Sequence, residues 1–209
     1  MPTRWFGERI PRNEDPRLLT GRGMYVDDVR RPGMLHAAFY RSPHAHARIQ
    51  RIATSQAKAL PGVVAVFTAE DLPERIRGPL PKLIPHPALT YHKTQVALAG
   101  EVVRHVGEPI VLVVAENRYV AEDAVELIEV DFEVLPAAVD LEAAAKPGAP
   151  RVHADMPDNI AAHHIQRVGN VEAAFAKAPH VFRERIVMDR GSSSPIETRG
   201  VVAEWDPRS

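Results

Sequence analysis

Apolar and polar positions repeat with a period of two along some stretches of the chain and with a helical period along others. Met1 to Gly23 has neither. It is polar and rich in Arg, Pro and Gly, which predicts an extended arm ending in the turn Leu19-Thr20-Gly21-Arg22-Gly23. Met34 to Tyr40 is a β-capable run that follows the turn Arg31-Pro32-Gly33. Ala45 to Ile52 alternates, with Ala45, Ala47 and Ile49 on one face and His46, Arg48 and Gln50 on the other. Thr54 to Leu60 reads as a short helix with Thr54 as N-cap, stopped by Pro61-Gly62, and Val63 to Phe67 as a further strand. Leu72 to Leu89 holds Pro73, Pro79, Pro81, Pro85 and Pro87. Each proline removes a backbone donor, so this stretch is expected to be a long surface loop, functional or partner-facing, with no regular helix or central strand.

The second half is patterned more clearly. Ile110 to Ala115 is a continuous apolar run, the mark of a strand buried on both faces. Asn117 caps a predicted helix through about Leu127, with Val120, Ala121, Ala124 and Val125 at helical spacing and Glu122, Asp123 and Glu126 outward. Ile128 to Leu135 alternates, placing Ile128, Val130, Phe132 and Val134 inward and Glu129, Asp131 and Glu133 outward. Leu141 to Ala145 can make one helical turn before Lys146-Pro147-Gly148-Ala149-Pro150. Asn170 caps a short helix, Val171 to Ala178, ended by Pro179. His180 to Asp189 and Val201 to Trp205 are predicted as two last strands. Strands interleaved with short helices define a mixed α/β, or α+β, fold. No internal repeat or low-complexity tract is present.

Composition narrows the function classes. The 209 residues are 45% hydrophobic and 25% charged, a globular balance. With 26 Lys and Arg against 27 Asp and Glu, the net charge of −1 offers no field to attract nucleic acid or anionic lipid. The absence of cysteine excludes disulfides, thiolate metal sites, iron–sulfur ligation and Cys nucleophiles within this chain. No apolar run approaches the roughly 20 residues of a membrane span. Met1 to Pro11 lacks a signal-peptide core, so a cytoplasmic location is expected.

Single residues carry little chemistry. His44 and His46 fall on one face of a predicted strand, but two ligands do not make a metal site. His163 and His164 are adjacent and diverge on any regular backbone, while His36, His86, His92, His105, His153 and His180 are scattered. Gly191-Ser192-Ser193-Ser194 lacks both the Gly-x-Ser-x-Gly elbow and the P-loop pattern. Gly21-Arg22-Gly23 has no strand before it and no helix after it, so it is no dinucleotide fingerprint. Glu122, Asp123, Glu126, Glu129, Asp131 and Glu133 read as solvated faces.

Longer phrases are more specific. Arg4-Trp5-Phe6-Gly7, Arg12-Asn13-Glu14-Asp15, Leu18-Leu19-Thr20-Gly21-Arg22-Gly23 and Tyr25-Val26-Asp27-Asp28 resemble the opening of a molybdenum hydroxylase large subunit. This is the xanthine dehydrogenase, aldehyde oxidase and aerobic carbon monoxide dehydrogenase family. Pro32-Gly33-Met34-Leu35-His36, Arg41-Ser42-Pro43-His44-Ala45-His46-Ala47 and Pro61-Gly62-Val63 continue the resemblance. So do Val106-Gly107-Glu108-Pro109 and Tyr119-Val120-Ala121-Glu122-Asp123-Ala124. The style is closest to the carbon monoxide dehydrogenase-like branch.

The resemblance implies an N-terminal arm over 1–20, an α/β hammerhead domain over 21–139, a linker over 140–165 and an incomplete start of a molybdopterin-binding domain over 166–209. Gly169-Asn170-Val171-Glu172-Ala173-Ala174-Phe175 resembles that domain's first helix, with Asn170 where Asp is common; both are sound caps. Pro195-Ile196-Glu197-Thr198-Arg199-Gly200 resembles its early Pro-x-Glu-x-Arg-Gly segment.

The family's pterin-holding loops and catalytic glutamate lie farther along, so no catalytic, cofactor-binding or metal-ligating residue is assigned here. The implied cofactor is molybdenum-molybdopterin, in its dinucleotide form, held only in the assembled enzyme, with iron–sulfur and FAD centres on partner subunits. The implied partners are the remainder of the large subunit and those electron-transfer subunits. The first reading is therefore a scaffold and channel-forming part of a hydroxylase that uses water as its oxygen source, inactive alone. The alternative is a non-catalytic binding or assembly module with the hammerhead fold. An independent hydrolase or metalloenzyme would need activity that is lost on Ser193→Ala or His44→Ala.

Overall fold

The computed structural model describes residues 7–82, 85–188, 191, 194–195, 197–206 and 208. Of the segments named above, Arg4-Trp5-Phe6, Asp189, Ser192, Ser193 and Ile196 lie outside the described residues. The chain divides into two units, Met1–Gly33 with Pro179–Ser209, and Met34–Ala178.

In the first unit the arm is not wholly extended. Helix α1 (Asp15–Leu19) forms because Pro16 stands in its first turn, where no amide donor is needed and the fixed φ already suits a helix. The Thr20 hydroxyl closes its end by donating to the Pro16 carbonyl at 2.6 Å. A 3₁₀ turn, Val26–Asp28, follows, and the Tyr25 N–H donates to the Asp28 carboxylate at 2.9 Å. The strands expected over His180–Asp189 and Val201–Trp205 are absent among the described residues. Alternation supplies an apolar face but no ladder partner, and Phe182 and Met188 are 83% and 89% exposed. A strand needs both.

The second unit holds β1 (His36–Arg41), β2 (Ala47–Ala53), α2 (Ser55–Ala59), β3 (Val63–Phe67) and α3 (Glu74–Arg77). They are followed by β4 (Val102–Val103), β5 (Pro109–Ala115), α4 (Arg118–Glu126), β6 (Glu129–Val134), α5 (Leu141–Ala144) and α6 (Val171–Lys177). The strands make two antiparallel sheets, ordered β1-β5-β3 and β4-β2-β6. The fold is thus α+β.

The continuous apolar run sits where it must, in the middle strand. Ile110, Val111 and Val113 are completely buried on β5, with α4 packed against β1 and β5 through Ala121 and Ala124. Asn117 caps α4 by accepting from the Val120 N–H at 3.0 Å, and Asn170 caps α6 from Ala173 N–H at 2.9 Å. Thr54 occupies the N-cap of α2 but makes no side-chain hydrogen bond there.

Three local readings change. A register shift between Ile49 and Arg51 lets both Ile49 and Ile52 reach the core, which strict alternation forbids. Val134, expected inward, is 65% exposed at the end of β6, beyond the reach of the core. The proline-rich stretch contains the single turn α3, which Pro73 opens from its N-cap. Its flanks are held by bridges between Pro79 and Val96 and between Leu89 and Ala162.

Candidate functional site

The phrases Arg41-Ser42-Pro43-His44 and Val106-Gly107-Glu108-Pro109 are far apart in sequence and lie against each other in the second unit. Ser42 N–H donates to the Glu108 carbonyl at 2.9 Å, and Gly107 N–H returns to the Ser42 carbonyl at 2.8 Å. The Arg41 guanidinium adds a bond to the Gly107 carbonyl at 3.0 Å. Gly107 has φ +86°, which a β-carbon would strain. Ser42 is buried; its Oγ accepts from His44 N–H at 3.0 Å and donates to the His44 carbonyl at 2.9 Å.

Glu108 is the buried charge of this joint, with 4% of its surface exposed. Its Oε2 accepts from the Arg104 backbone N–H at 2.5 Å and lies 3.5 Å from His105 Nδ1. A carboxylate at the head of a buried strand must be partnered in this way. The Arg104 side chain turns back to the Val102 carbonyl at 3.1 Å, and its buried Nε has no hydrogen-bond partner among the described residues. Close by, Lys93 pairs with Asp155 and holds that carboxyl below the usual carboxylate range. The turn beyond carries buried Met156, whose carbonyl accepts from Arg151 at 3.1 Å.

His153 completes the cluster. Burial lowers its pKa from 6.5, and the positive charges of Arg104 and Lys93 push the same way against the weaker pull of Asp155 and Glu108. The fold therefore prefers the neutral ring. Well above pH 6.5 both folded and unfolded rings are neutral and the shift contributes nothing. Below it the unfolded state takes the proton first, so stability falls until the folded ring also titrates. His153→Gln is expected to flatten the decline in urea midpoint between pH 7.5 and pH 5. An unchanged slope in the variant would remove His153 from the account.

The other histidines do not converge. The His44 ring meets Phe132 edge-on at 4.9 Å between centroids, whereas His46 Nδ1 donates to the Pro136 carbonyl at 2.7 Å. His86 and His164 meet edge-on at 5.0 Å. His92, His163 and His180 are exposed, and His36 on β1 pairs with Ala115 of β5. Among the described residues no three His, Cys, Asp or Glu side chains stand together as a metal-binding group. Glu122, Asp123 and Glu126 are exposed on α4, and on β6 Glu133 pairs with Arg48 while Asp131 and Glu129 pair with Arg51. Gly21-Arg22-Gly23 follows α1 rather than a strand.

Sequence reasoning over single residues missed Glu108, Arg104 and the partnership of Ser42. The available signal was Glu108-Pro109 placed directly before the continuous apolar run, since a strand buried from its first residues carries that carboxylate inside with it.

A hammerhead unit closed by this joint, with a further segment beyond α5, defines the class. Residues 20–136 match the family model described as "Aldehyde oxidase and xanthine dehydrogenase, a/b hammerhead domain", and residues 152–209 match that of the molybdopterin cofactor-binding domain. The chain belongs to the aldehyde oxidase and xanthine dehydrogenase family.

Among its relatives, the nicotine 6-hydroxylase large subunit of Paenarthrobacter nicotinovorans is 41% identical over 96% of this chain and 24% of its own length. The carbon monoxide dehydrogenase large chain of Afipia carboxidovorans is 43% identical over 96% of this chain and 26% of its own. Quinoline 2-oxidoreductase from Pseudomonas putida 86 superposes with a TM-score of 0.65 at 41% identity, covering 73% of this chain and 19% of that one. The Cu,Mo carbon monoxide dehydrogenase superposes equally, TM-score 0.65 at 43% identity, over 83% and 22%. The chain spans about a quarter of the length of these curated relatives. Among the described residues no helix is long and apolar enough to cross a membrane.

Proposed function

We propose that this chain is the N-terminal portion, or a split subunit, of a cytoplasmic molybdopterin-dependent hydroxylase that takes its oxygen from water. The observation that carries the reading is the order of the two family matches, which follow one another along the chain while the relatives are named as large subunits or large chains. The hammerhead part, about 21–139, walls the substrate channel. The linker, 140–165, leads to the start of the molybdopterin-binding domain, 166–209, which seats the rest of the large subunit. Iron–sulfur and flavin subunits complete the assembly.

This chain positions and supports, and no catalytic residue is assigned to it, because the family's pterin-holding loops and catalytic glutamate lie farther along than its residues. When bound in the assembly, the molybdenum cofactor, in its dinucleotide form, supplies the two-electron hydroxylation chemistry. No observation favours a hammerhead module without an enzymatic role.

The test is molybdenum and pterin content with native mass, for the chain expressed alone and with a chain bearing the remaining family region. Metal and pterin confined to a larger co-purified assembly support the proposal. A metal-free monomer that ignores that chain counts against it.

A further inference from the structure

Two contacts from one short segment converge on Val26. Its backbone N–H donates to Glu197 Oε1 at 2.6 Å, across 171 residues of sequence. Three residues farther on, a β-carbon placed on Gly200 would lie 2.8 Å from Val26 Cγ1 and 3.1 Å from Val26 Cβ. Both sides belong to the first unit.

Each contact has a physical reason. The Val26 N–H opens the 3₁₀ turn Val26–Asp28, where a donor has no partner within the turn. The turn's own Asp28 carboxylate accepts from Tyr25 N–H, so the carboxylate for Val26 comes from Glu197. Gly200 has no positive φ, so its glycine is not required by backbone freedom. It is required by close approach, since only hydrogen fits against the valine methyl.

We infer that Glu197 and Gly200 form a two-point clasp that fastens the 3₁₀ turn Val26–Asp28, which follows the N-terminal arm, to the segment matched by the molybdopterin cofactor-binding domain. Glu197 is a positioning residue in this clasp, and Gly200 sets the distance. The clasp involves no step of the hydroxylase chemistry, so it stands or falls separately from the proposed function.

Amide exchange of Val26, with trypsin cleavage after Arg22 and Arg30, reads the clasp in the full 209-residue chain. Glu197→Ala is expected to speed Val26 exchange roughly tenfold, the scale of one lost hydrogen bond. Glu197→Gln keeps a side-chain carbonyl and should retain most of the protection. Gly200→Ala should speed exchange and cleavage together. Adding Val26→Ala removes both γ-methyls, the 2.8 Å clash among them, and should restore slower cleavage. The β5 amides serve as the internal reference and should stay unchanged throughout. Unchanged exchange in both Glu197→Ala and Gly200→Ala overturns the clasp, as does failure of Val26→Ala to rescue, or equal acceleration at β5.

Discussion

Glu108→Ala is expected to destabilise the hammerhead unit by about 2–3 kcal/mol, seen as a lower urea midpoint at an unchanged slope. The carboxylate is buried and accepts the Arg104 backbone N–H, so its removal takes away that donor's partner in a part-buried joint. His105 and Arg104 also lose the nearby negative charge, and the backbone pairing of Ser42 with residues 107 and 108 loses its support. Glu108→Gln separates the contributions. An amide retains the acceptor oxygen but not the charge, so recovery of more than half the loss assigns the effect to the hydrogen bond. Recovery of almost none assigns it to charge. A Glu108→Ala midpoint equal to that of the parent would show the joint to be incidental.

A larger effect is expected at the centre of the sheet. Ile110 is completely buried on β5 and packs within the cluster that includes Val103, Val113 and Ala124. Ile110→Ala should cost about 2–5 kcal/mol, the sum of lost transfer energy and an unfilled cavity. Against a typical domain stability of about 5–15 kcal/mol, this leaves the unit marginal or unfolded. Ile110→Val removes one methylene and should cost about 1 kcal/mol. Equal losses in the two variants would mean that the strand tolerates collapse around the cavity, contrary to the close packing inferred for β5.

The pattern of apolar positions revealed β5, α4 and β6 because each runs for several residues, as a continuous apolar run in β5, a helical period in α4 and an alternation in β6. The two-residue β4 is too short to carry a period, and only its pairing with Ala47 and Arg48 defines it. The bulge near Gln50 was hidden for a related reason: an extra residue breaks alternation, and only the partner strand shows which residue is extra. The terminal segments failed in the opposite direction, since Phe182, Ile186 and Met188 have strand spacing but no strand lies beside them among the described residues. The joint around Glu108 was half legible. Its two phrases stood out as family resemblances, but their mutual contact depends on the long closure between β1 and β5.

That closure also governs how the protein is made. The middle strand of the first sheet is the last of its three in the chain, so β1 and β3 leave the ribosome before anything can lie between them. The second sheet has the opposite order, since its middle strand β2 comes first in the chain and waits for both of its neighbours, β4 and β6. Until residue 115 has emerged, the earlier strands present open edges, and non-local pairing of this kind is slow to nucleate. Synthesis stalled between residues 67 and 109 would leave a nascent chain exposed to chaperone capture or aggregation. Once residue 134 has emerged, every strand of both sheets is free to pair.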